Sequence, residues 1–121
     1  TVDKVPQASR ATVYNFIETE LKANIDKLAT TKGGSYYGRF NKWAGYAFLA
    51  KLYLNAGVYT GTPKWAEAQA ATDVIINQGG FSLVNSYLSL FGDRCPDQEV
   101  LLAIFIDANQ APRNIIGIRS L

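Results

Sequence analysis

Behind Ser9, apolar residues return at helical intervals: Val13, Phe16, Ile17, Leu21, Ile25 and Leu28. That spacing predicts a first helix with Ser9 as its N-cap. Glu18, Glu20, Lys22 and Asp26 fall mostly off the stripe, so they are expected on a wet face opposite a buried one. Residues 30–38 interrupt the pattern with Gly33-Gly34, paired tyrosines and Gly38. Glycine opens backbone angles closed to other residues, so a turn is expected there, delivering Tyr36 and Tyr37 to the start of the next helix.

The second predicted helix, 41–56, is apolar nearly all round. Trp43, Ala44, Tyr46, Ala47, Phe48, Leu49, Ala50, Leu52, Tyr53 and Leu54 leave only Lys42, Lys51 and Asn55 as polar positions. A helix of that kind is expected to be covered on several sides by other helices, with Gly57 as its C-terminal cap residue. Thr62-Pro63 reads as the start of a third helix, with Thr62 the cap and Pro63 where a missing N–H costs nothing. Trp65, Ala68, Ala71, Thr72, Ile75 and Ile76 form its packing side, and Gln78-Gly79-Gly80 stops it. A short extended piece at 81–83 and one or two turns carrying Tyr87, Leu88, Leu90 and Phe91 follow. Residues 99–106 (EVLLAIFI) read as a buried strand. The fold class expected is mostly α: antiparallel helix pairs ending in a short strand or irregular segment.

Composition narrows the function. The chain has 121 residues, 48% hydrophobic and 18% charged, with a formal net charge of +2. These are values of a globular protein without a nucleic-acid surface. No apolar run approaches the roughly 20 residues that span a bilayer, and no targeting leader is readable. Histidine is absent, which removes the usual general base, the Ser-His and Cys-His nucleophile pairs and every His-containing zinc site. Methionine is absent too, so Thr1 is expected to lie downstream of a cleavage or inside a longer chain. Cys95 is the single cysteine; it excludes an internal disulfide and, beside Pro96, reads as an inert loop residue.

The acidic residues form no catalytic pair. Glu18 and Glu20 lie two positions apart on a helix and point apart, and Asp93 and Asp97 share a loop with Arg94. The Gly-Gly pairs lack the Lys-Ser/Thr of a phosphate loop.

Helices two and three belong together. Ala50, Tyr53, Gly57 and Tyr59, then Trp65 and Ala68, echo the tetratricopeptide pattern, in which small residues admit the partner helix and aromatics fill the groove beside them. The full string is more specific. Gly38-Arg39-Phe40-Asn41-Lys42-Trp43-Ala44, then Ala47-x-x-Ala50-Lys51-Leu52-Tyr53-Leu54-x-Ala56-Gly57, resembles the central helix of SusD/RagB proteins. Trp65-Ala66-Glu67-Ala68, Val74-Ile75, Gly80-Phe81-Ser82-Leu83, Tyr87, Leu90-Phe91 and Glu99-Val100 continue in the family's order. Val13-Tyr14-x-Phe16-Ile17-x-x-x-Leu21 resembles its preceding helix.

The resemblance implies a partial SusD-like helical-repeat domain over 1–121, belonging to a longer parent protein. It implies no enzymatic activity and no cofactor. It implies glycan or oligosaccharide binding at the outer membrane, through a lipid-anchored, surface-exposed parent that works with a SusC-like TonB-dependent transporter. The alternative is a tetratricopeptide-like scaffold for protein partners. Sugar recognition needs flat aromatic faces and planar polar groups in loops. Tyr36, Tyr37 and Tyr59 meet the first need, and Asp107, Asn109 and Arg113 in the polar segment 107–114 meet the second. Trp65, on a repeat packing position, is expected in the core.

Overall fold

The computed structural model describes residues 6–91 and 96–104. Among these residues four α-helices carry the fold: α1 (Arg10–Asn24), α2 (Lys42–Leu54), α3 (Ala56–Thr60) and α4 (Trp65–Gln78). Short 3₁₀ turns stand at Ile25–Lys27, Gly34–Tyr36 and Tyr87–Phe91, and no strand occurs among the described residues.

The helix starts follow side-chain chemistry. Ser9 Oγ accepts the Thr12 N–H at 3.1 Å, and Asn41 Oδ1 accepts the Ala44 N–H at 2.9 Å, each satisfying a donor that the first turn cannot. Asn41 is buried and also donates from Nδ2 to the Leu101 carbonyl at 3.2 Å, tying the later segment to the start of α2.

The helix pair forms as expected. Ala50 and Leu54, late in α2, share a groove with Trp65 and Ala68, early in α4. At the other end, Trp43 meets Phe81, just past α4, edge to face at 6.4 Å. The two helices therefore run antiparallel. Leu49, Tyr53 and Ala71 are the buried centre, with Leu21, Tyr46, Ala50, Leu52 and Ala68 packed on them. Burying each large side chain contributes about 1.5–3 kcal/mol, and the alanines let the backbones approach closely enough for it.

Several expectations need correction. The inward face of α1 is Tyr14, Glu18 and Leu21, continued by Ile25 in the turn that follows, not the Val13–Phe16–Ile17 stripe; those three are 46%, 65% and 40% exposed. Glu18 turns inward because polar partners await it there. Gly57 does not cap α2. It lies inside α3, and Gly61, at φ +80°, is the left-handed cap residue. The missing Cβ at Gly57 instead faces Pro63.

The last helix starts at Trp65 after Lys64, without a side-chain cap from Thr62. Trp65 is 59% exposed rather than in the core, and Phe48, Leu54 and Ile76 are exposed as well. Among the described residues α1 covers one side of the pair, through Leu21 and Glu18, and no further helical layer covers the rest.

The strand expected at 99–106 is not formed over its described part, 99–104. Side chains have taken the places of ladder partners. The Ser82 N–H does reach the Gln98 carbonyl at 3.0 Å. Beyond that bond, the Glu99 carboxylate accepts the Val84 N–H at 2.8 Å and the Gln98 amide donates to the Leu83 carbonyl at 3.0 Å. Residues 105 and 106, and Cys95 with Asp93 and Arg94, lie outside the described residues.

Candidate functional site

The connection between α1 and α2 is held at both ends. The Lys42 N–H donates to the Ala29 carbonyl at 2.9 Å, and the Trp43 indole N–H donates to the Thr30 carbonyl at 2.8 Å. Between these anchors the backbone takes left-handed angles at Gly33 and Gly34 and closes a 3₁₀ turn, with Tyr36 N–H to Gly33 carbonyl at 2.9 Å. At Gly33 a side chain is excluded twice: its φ is +73°, and a Cβ would strike the Asp97 carboxylate.

The turn sets Tyr36 and Tyr37, both half-buried, on the wall of one shallow hollow. Lys32, Arg39 and Asn41 share that wall, and Asp97 with residues 100–103 makes the opposite side. Its enclosed space, about 20 Å³, holds roughly one water. A group the size of a sugar ring does not fit inside it.

The cations here differ in commitment. The Lys32 ammonium donates to the Gly80 carbonyl at 2.7 Å and sits 3.7 Å above the Phe81 ring centre. Arg39 is exposed, its guanidinium 5.7 Å from the Tyr36 ring centre.

Tyr59 stands elsewhere. It lines a separate apolar cleft of about 380 Å³ with Ala8, Arg10, Val13, Tyr14, Ile17 and Leu52. Of the expected ligand residues, the fold thus gathers Tyr36 and Tyr37 and leaves Tyr59 apart. Asp107, Asn109 and Arg113 lie outside the described residues. Reading the chain missed Asp97, Arg39 and Lys32 as neighbours of the tyrosines. Arg39, two residues past Tyr37, carried the one local signal.

A second polar cluster lies half-buried between α1, α2 and the residue before α4. Glu18 accepts from Lys22 at 2.8 Å, from Lys64 at 2.7 Å and from the Tyr53 hydroxyl at 3.2 Å. Burial pushes the Glu18 carboxyl up, but hydrogen bonds and charge from Lys22 and Lys64 outweigh it and bring it down to about 2. The same bond to Glu18 raises Lys22 and Lys64. Burial raises the phenols of Tyr14 and Tyr53, keeping both protonated. Lys64 lies 5.4 Å and 5.5 Å from the Tyr14 and Tyr53 ring centres. Every charge in this knot is spent on a neighbour, so it works as a clamp and not as a reactive site.

Comparison with known proteins gives a relative by sequence. The chain is 30% identical over 99 residues to the starch-binding protein SusD of Bacteroides thetaiotaomicron. It is similar to SusD over most of its own length. The aligned stretch takes 81% of this chain but only 18% of SusD. No family model and no solved structure matches the chain. The similarity to SusD and the mostly helical architecture agree with each other, and no helix among the described residues is long and apolar enough to cross a membrane.

Proposed function

We propose that this chain is a partial domain of a SusD-like protein that binds glycan without chemically altering it. The observation that carries the reading is the similarity to a starch-binding protein over 81% of the chain. The Tyr36–Tyr37 hollow supports it: aromatic faces beside charged and amide groups suit the apolar side of a pyranose and its hydroxyl pairs. The outward apolar residues of α1, α2 and α4 suit coverage by the remainder of a longer parent protein. On this reading the parent sits at the cell surface, lipid-anchored to the outer membrane, and passes oligosaccharides to a SusC-like TonB-dependent transporter.

The test is titration calorimetry of the purified protein against a panel of oligosaccharides, with a reducing-sugar assay in parallel and co-purification with its transporter. Saturable binding with no sugar released is expected. Turnover, or a panel without a single binder and no transporter complex, rejects the reading.

One observation favours a second reading, a tetratricopeptide-like scaffold for protein partners. Trp65, Leu54, Ala50 and Ala68 border an open groove of about 510 Å³ on the helix pair. Glycan binding that is indifferent to Trp65→Ala supports the first reading. A protein partner whose binding Trp65→Ala abolishes supports the second.

A further inference from the structure

Resting on the glycan-binding reading, we infer that the hollow beside Tyr36 and Tyr37 selects acidic glycans, with Arg39 reading the carboxylate of a uronic acid residue. The backbone at Arg39 is held by the turn, which places its side chain beside Tyr36. The Arg39 backbone N–H donates to the Tyr36 carbonyl at 3.0 Å, fixing the main chain from which the side chain springs, and its guanidinium lies 5.7 Å from the Tyr36 ring centre. A guanidinium held near a ring by cation–π attraction forms no hydrogen bond there, so its donors stay available, and that planar fork matches a carboxylate with two parallel hydrogen bonds.

The other charges nearby are already committed. Lys32 is bound to the Gly80 carbonyl and the Phe81 ring, and Lys42 pairs with Asp26 at 2.8 Å. Asp97, on the far wall, has a partner of its own. Among the described residues no carboxylate lies within ion-pairing distance of Arg39. The mouth of the hollow therefore offers an unspent cation next to aromatic faces. A neutral glucan presents only hydroxyls to that cation, whereas a uronate presents the matching charge and shape.

The experiment compares four soluble polysaccharides on the purified protein by affinity electrophoresis and calorimetry, at low and at physiological salt. These are a polyuronate, the same polymer with its carboxyls reduced to alcohols, amylose, and a sulfated dextran. The expected result is binding of the polyuronate roughly tenfold tighter than its reduced form, the size of one charge-assisted bidentate pair. Arg39→Gln removes that preference, Arg39→Lys keeps part of it, and added salt weakens it.

Equal or tighter binding of the reduced polymer or amylose overturns the inference and leaves glycan binding standing. Equal binding of the sulfated dextran shows attraction to charge alone and overturns the carboxylate assignment. No binding to any of the four polymers, together with no binder in the oligosaccharide panel, overturns the underlying reading as well. The comparison between native and reduced polymer needs no variant, so it holds even where a substitution perturbs folding.

Discussion

The Glu18 knot and the Tyr36 loop are built from the same ingredients: two tyrosines, two cations and a carboxylate. They end in opposite states. Around Glu18, three donors converge on one carboxylate that is 13% exposed, and the rings of Tyr14 and Tyr53 are buried beside it. Around Tyr36, Lys32 is tied to a neighbouring turn while Arg39 is exposed. The difference lies in what surrounds each cluster. Helices on two sides consume the first, whereas a glycine-rich loop holds the second at the surface. Residue chemistry alone does not distinguish a clamp from a binding surface; the neighbours that use up its donors do.

The comparison can be broken most severely at the core on which both regions stand. Leu49→Ala leaves a cavity between α2 and α4 and is expected to cost about 2–5 kcal/mol in urea unfolding, enough to threaten a small domain. Next is the knot itself. Glu18→Gln leaves Lys22 and Lys64 facing one another without a counter-charge, and a loss of roughly 1–3 kcal/mol is expected.

Glu18 also sets a pH dependence. Its folded-state value, about 2, lies below the ordinary carboxyl value of 4.5, so its stabilisation is complete above pH 4.5 and is lost as pH falls from there towards 2. Melting curves should decline over that window in the native protein and lose part of that decline in Glu18→Gln. A wild-type curve flat across the window contradicts the clamp.

Gly33→Ala tests the loop. It forces a side chain into a left-handed angle and against Asp97, so a cost of about 1–2 kcal/mol is expected, with loss of any ligand affinity carried by the tyrosines. Smallest in stability is Tyr36→Ala, at about 1 kcal/mol or less, because the ring is half-buried on a surface loop. A larger loss there would make the tyrosine a packing residue and erase the contrast.

What could be read from the chain follows from how local each signal is. Ser9 lies at the head of α1, Gly33-Gly34 sits in the loop it turns, and the antiparallel pair emerges from small and aromatic residues at repeat spacing. Each of these is decided within a few residues. Glu18 was misplaced because a carboxylate on a helix reads as exposed. Its partners Tyr53 and Lys64 arrive 35 and 46 positions later. Trp65 was misplaced for the complementary reason: an apolar pattern marks what ought to be covered and says nothing of what covers it. The far wall of the hollow, with Asp97, left no local trace. It is brought over by Asn41 holding the Leu101 carbonyl 60 residues away.

The most direct test of the central claim pairs two variants against the best-binding glycan. The tyrosines at 36 and 37, in the loop, are replaced together by alanine, and Tyr59, in the separate cleft, is replaced alone. The account predicts that the double replacement weakens binding about tenfold or more while the protein still melts cooperatively, since each stacked aromatic contributes on the order of 1 kcal/mol. It predicts that Tyr59→Ala binds as the native protein does. Undiminished affinity in the double variant, or a loss confined to Tyr59→Ala, contradicts it.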